Sequence, residues 1–155
     1  MLKSGPASTA VLPRPMIPHP PRFDGRFGVV VQAGLTVVGG GACASAPYRV
    51  CSVDGDETYL PVRKPGYATL EHARTPLAGG HTSWTAVLEF ADPSRPAVMY
   101  AGRVARSVGG VVLVMTREHE VLVTAPPTQV HQGVLRLTDL DERTAWGLVG
   151  LFVGG

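Results

Sequence analysis

Alternation of apolar and polar side chains with a period of two dominates the chain from Phe27 onward, and that period belongs to β-strands. Phe27–Val31 and Leu35–Val38 read as a first pair of strands joined by a turn at Gly34. Tyr48–Val53 and Tyr59–Val62 flank Asp54-Gly55-Asp56-Glu57, a hairpin signal, because Asp-Gly reaches positive φ cheaply. Arg63–Gly80 lies between turn residues and reads as a long loop or as a short helix over Ala68–Arg74. In Trp84–Phe90 the residues Trp84, Ala86, Leu88 and Phe90 fall on one face, and Thr85, Val87 and Glu89 on the other, the pattern of a half-buried strand. A turn over Asp92–Pro96 leads to a returning strand, Val98–Val104.

Val111–Thr116 and Val121–Thr124 form a hairpin around Arg117-Glu118-His119-Glu120. Both runs are apolar on both faces, which predicts a central hairpin between two layers with Leu113, Met115 and Leu122 buried. Gly133–Leu137 is a further strand. Thr138 or Asp139 is suited to cap a helix, with Asp141 or Glu142 at the reciprocal position three residues on. Beyond them Ala145–Val153 is apolar nearly all round and reads equally as helix or strand. Its cover is the domain's own core or a partner.

The first 26 residues break the pattern. They carry six prolines, Pro6, Pro13, Pro15, Pro18, Pro20 and Pro21. Proline fixes φ and removes a backbone donor, so this stretch builds neither a helix nor a central strand. The division is an extended arm, 1–26, and one β-rich domain, 27–155. The domain retains roughly 130 residues, enough for a sizeable core. The expected fold is mainly β, an antiparallel sandwich or partly open barrel of about seven to nine strands, with the C-terminal segment as its one candidate helix.

Charged residues make up 17% of the chain, below the usual ~25%, so much of the surface is weakly polar and suited to being covered. The net charge of +2 comes from scattered arginines rather than a basic run, which argues against nucleic acid as partner. No apolar run is long enough for a spanning helix. Phe27–Ala46 imitates a signal peptide. Gln32 and Gly39-Gly40-Gly41 interrupt it, and the strand reading is preferred. With no cleaved signal expected, the localisation inferred is cytoplasmic or within a virion. Cys43 and Cys51 are the two cysteines, with seven residues between them; a bridge across the mouth of a short loop is the alternative, and free, buried thiols in a reducing compartment are the leading expectation.

Candidate chemistry is thin. Cys43, Cys51, His72 and His81 offer zinc donors, but their spacing fits no knuckle. Asp54, Asp56 and Glu57 lack the remaining oxygen ligands of a calcium loop. Cys51 with His72 or His81 is the only drawable nucleophile–base pair, and no G-x-S-x-G elbow occurs. His119 between two glutamates sits at a turn, and Gly39-Gly40-Gly41 matches no phosphate-binding pattern. The expectation is therefore no catalytic group, no metal and no cofactor.

What remains is contact with other proteins. Pro13, Pro15, Met16, Ile17, Pro18, Pro20 and Phe23 are the expected partner-contact residues of the arm. The leading expectation is a non-enzymatic subunit of a homo- or hetero-oligomeric assembly, of the kind found in phage-like virions, capsids or tails. It would bind its neighbours through the arm and its strand edges, with no membrane and no nucleic acid involved. This step from an armed β-domain is analogy. The alternatives are a ligand- or peptide-binding β-module and a small Cys/His enzyme.

Overall fold

Two long antiparallel strands form the spine of the molecule. A computed structural model describes residues 20–38, 49–76 and 83–153. In it β1 (Phe23–Val37) runs beside β3 (Thr58–Arg74) over almost their whole length. The other strands are β2 (Val50–Cys51), β4 (Trp84–Phe90), β5 (Val111–Met115), β6 (Val121–Ala125), β7 (Val130–His131) and β8 (Val134–Leu140). All eight belong to one sheet, ordered β6-β5-β1-β3-β4-β8-β7, with β2 added to the start of β3. Among the described residues two α-helices accompany the sheet, α1 (Arg95–Val108) and α2 (Glu142–Val153). The expectation of a mainly β, antiparallel fold with a C-terminal helix holds.

Several elements differ from the sequence reading. Gly34 does not turn the chain but sits inside β1, pairing with Pro61 and Val111. A Cβ there would lie 2.5 Å from Leu113 Cδ1, so glycine is what lets the Leu113 side chain cross the strand. Arg63–Arg74 is neither loop nor helix but the second half of β3. Ala68, Leu70, Glu71 and Ala73 have weak strand preference, and pairing on both sides with β1 and β4 overrides it. Val98–Val104 is not a strand but the centre of α1. Its buried residues, Val98, Ala101, Val104 and Ala105, follow the helical period. Gly109, at φ 69°, ends that helix. β4 is buried on both faces rather than one, with Thr85 and Val87 covered as well as Leu88. β1 opens at Phe23, four residues ahead of the expected domain boundary.

The C-terminal segment resolves as helix because Ala145, Val149 and Phe152, at helical spacing, all point into the core. Its cap is Asp141, whose Oδ1 accepts the Thr144 N–H at 2.7 Å, while Thr138 and Asp139 lie within β8. The β5–β6 hairpin is not central in the sheet, since β6 is its terminal strand. Leu113 and Met115 are nevertheless fully buried, and Leu122 is half-buried.

That burial follows from a bend in the spine. Between Val31–Gly66 and Ala33–Val62, three residues of β3 (Arg63, Lys64, Pro65) face Gln32 alone, a bulge that re-aims both strands. Arg63 takes a left-handed φ of 66°, and the buried Gln32 donates through Nε2 to its carbonyl at 2.6 Å. Two cores result. The larger packs Val29, Val31, Leu70, Leu88, Leu135 and Phe152 beneath the helices. The smaller gathers Val30, Val50, Tyr59, Leu113, Met115 and Val121. Around it the pairings run in a ring, β1–β3–β2–β6–β5 and back to β1, closed between β2 and β6 by a Ser52–Val121 bridge.

Candidate binding cleft

The sheet does not close everywhere. β6 has β5 on one side. On the other, among the described residues, its main chain meets only the Ser52–Val53 segment, where the Val53 N–H donates to Val121 O at 3.0 Å. β7 covers β8 only at Val134 and Leu135, so Arg136–Leu140 has no strand beyond it among the described residues. Between these uncovered edges, over the first turns of α2, lies a cleft of about 450 Å³.

Leu122, Leu140 and Leu148 give it an apolar floor continuous with the larger core. Ser52, Tyr59, Thr124, Gln129, Thr138 and Thr144 supply its polar groups, none of them charged. The Tyr59 hydroxyl is hydrogen-bonded to Thr124, while burial and the Glu57 carboxylate push its pKa above the ordinary 10.0, keeping it neutral. Gln129 Nε2 donates to Thr138 Oγ1 at 3.0 Å, tying the 3₁₀ turn at Pro127–Gln129 to β8. A bulge in β8 shapes this edge. Its pairing with β4 shifts between Trp84 and Ala86, and Asp139 takes a φ of 59°, a conformation aspartate tolerates better than most residues.

The charges are sorted with respect to the cleft. Of the twelve acids in the chain, Asp24, Glu71, Glu89 and Asp92 form ion pairs, with His72 and Arg22, Arg26, Arg74 and Arg95 respectively. The other eight, at 54, 56, 57, 118, 120, 139, 141 and 142, are exposed, make no ion pair among the described residues, and lie within three residues of a lining side chain. Hydrogen bonds local to the turn and to the helix start hold two of them below the ordinary carboxylate range. For Asp54 the Ser52 hydroxyl is the main cause, and for Asp141 the Thr144 backbone N–H. Both therefore stay charged at neutral pH.

The residues singled out from sequence are not brought together. Cys51 pairs with Thr58 at the start of β3, and His72 is near its other end. His72 Nδ1 instead meets Asp24 Oδ1 at 2.7 Å on the open surface, and this contact, with Arg22, lowers the Asp24 pKa. Cys51 is disulfide-bonded rather than free, so a Cys51–His72 pair fails on both distance and chemistry. Cys43, His81 and Gly39-Gly40-Gly41 lie outside the described residues. Asp54, Asp56 and Glu57 form the expected hairpin turn, and Glu118, His119 and Glu120 the other, all solvent-exposed. Among the described residues no three of His, Cys, Asp and Glu come together as a metal site, and no helix is long and apolar enough to cross a membrane.

Of the arm contacts expected, Pro13, Pro15, Met16, Ile17 and Pro18 lie outside the described residues, and Pro20 is exposed. Phe23 belongs to β1, where its ring meets Phe27 at 6.1 Å and Phe152 at 6.5 Å. Sequence reasoning missed the cleft. Its lining comes from separate segments and carries no motif; the one signal available was the acids just before Val121 and on each side of Leu140. No family model, no curated protein and no solved structure matches the chain.

Proposed function

We propose that the chain is a non-catalytic binding module that takes an extended segment of protein into the cleft between β6 and β8. The observation that carries this reading is the cleft itself. It offers two strand edges that no described residue covers, an apolar floor and uncharged hydrogen-bonding groups, which is what an extended main chain with apolar side chains needs. A small charged substrate would find no counter-charge inside it. The peptide-binding reading thus gains most from the geometry. A subunit of a phage-like particle draws on nothing beyond the same cleft and the arm, and is not carried further.

Peptide selection against the full-length chain tests the proposal. Selected sequences are expected to alternate apolar and polar positions, and to perturb the amide resonances of Leu122–Thr124 and Leu137–Leu140. Thr138→Trp, a bulky change at an exposed position, should abolish binding without altering the thermal melt. Peptides that bind Thr138→Trp as tightly as the parent would sink the proposal.

A further inference from the structure

We infer that the occupant of this cleft is the segment Ala7–Leu12 from the arm of a second copy of the chain. The inference rests on the binding reading above and names its partner. Three observations carry it.

The first is charge. Eight acids with no ion pair among the described residues lie within three residues of the lining of a cleft that is itself uncharged, against three arginines within the same reach, Arg49, Arg136 and Arg143. The Arg117 guanidinium is directed elsewhere, against Gly28, where a Cβ would lie 2.6 Å from its terminal nitrogen. Such a rim favours a cationic partner. Residues 1–19 contain Lys3 and Arg14 and no acid at all. The second is main-chain chemistry. A segment laid along a strand edge must offer its N–H groups, which proline lacks. Ala7–Leu12 is the one stretch longer than three residues between prolines in residues 6–21. Its six residues are long enough for the part of β6 beyond Val121, Leu122–Ala125, and for Arg136–Leu140 of β8, which no described strand covers. In an extended segment Ala10 and Leu12 share a face, suited to the floor made by Leu122, Leu140 and Leu148.

The third is the connection. Between Leu12 and Pro20, the first described residue, lie seven residues, three of them proline. A spacer this rich in proline has a reach of about 22 Å if extended, and its composition disfavours a tight reversal, which favours delivery of the segment to a neighbour. Each copy then both donates a segment and receives one, so two reciprocal contacts close a dimer.

Complementation between full-length variants decides the matter. Leu12→Asp spoils the segment and leaves the cleft intact; Thr138→Trp blocks the cleft and leaves the segment intact. By light scattering after size exclusion, the unaltered chain is expected as a dimer, and each variant alone as a monomer with an unchanged melt. Their equimolar mixture should give a heterodimer through the one productive contact. Raising salt from 50 mM to 1 M should weaken the parent dimer roughly fivefold, as expected for two exposed ion pairs. A monomeric parent chain, or a Thr138→Trp variant that still dimerises, would overturn the inference. If selected peptides still bind the Leu12→Asp variant in that event, the cleft keeps its proposed function and only this occupant falls.

Discussion

At the scale of single residues, glycines mark where the backbone has no room. Gly110 is the tightest. A Cβ there would come within 2.3 Å of the Gly34 carbonyl oxygen, a main-chain atom held in β1 that cannot step aside. Gly110→Ala is therefore expected to cost on the order of 1–3 kcal/mol in a urea melt, as overpacking does. Asp141 makes a different kind of contribution. Its folded pKa is depressed, so its charged form stabilises the folded chain above the ordinary value of 3.8, and that contribution is lost as pH falls through the lower folded value. Asp141→Ala should therefore melt at a lower temperature than the parent at pH 7, and the gap should narrow as the pH is lowered below 3.8. A constant gap across that range would assign the effect to something other than the carboxylate. Neither role was legible in the sequence. Nothing in Gly109-Gly110 announces the close approach to β1, and the expected helix cap falls two or three residues early, because Thr138 and Asp139 have capping chemistry too and only the pairing of β8 with β4 commits them to the strand.

At the scale of elements, strands whose pattern is set by valines were legible, and those set by context were not. β5 and β6 declare themselves as VVLVM and VLV. The second half of β3 is held by its neighbours, and nothing in Ala68–Arg74 announces that. α1 was lost to the opposite error. Over Val98–Val104, Val98, Tyr100, Gly102 and Val104 alternate well enough to imitate a strand, while Ser94, Pro96 and Gly109 punctuate a helix. In α2 two helix-weakening glycines, Gly147 and Gly150, lie on the exposed face, with nothing within 4 Å of a Cβ at either position. Alanine there meets no obstacle and restores helix propensity. Gly147→Ala and Gly150→Ala should each stabilise the fold by about 0.5–1 kcal/mol in chemical denaturation, and the two should add closely. A loss at either would mean that this face of α2 is covered.

At the scale of the whole molecule, the cleft escaped the sequence because it is a property of how the sheet ends. No residue in it is unusual; what makes it is that β7 is too short to cover β8 and that, among the described residues, β6 is met on that side only at Val121. The bend at Gln32 has an effect that reaches further. The same two strands wall both cores, so neither core can come apart while the other stays whole. In amide hydrogen exchange the chain should therefore open as one cooperative unit, with Val30 and Val31, neighbours facing opposite cores, exchanging at the same free energy. Leu113→Ala, in the smaller core, is expected to cost about 2–5 kcal/mol. It should lower protection by the same amount at Leu70 and Leu88 in the larger core. Were exchange to quicken only around Leu113, the two halves would be separate foldons, and the long strands a hinge between them rather than a shared wall.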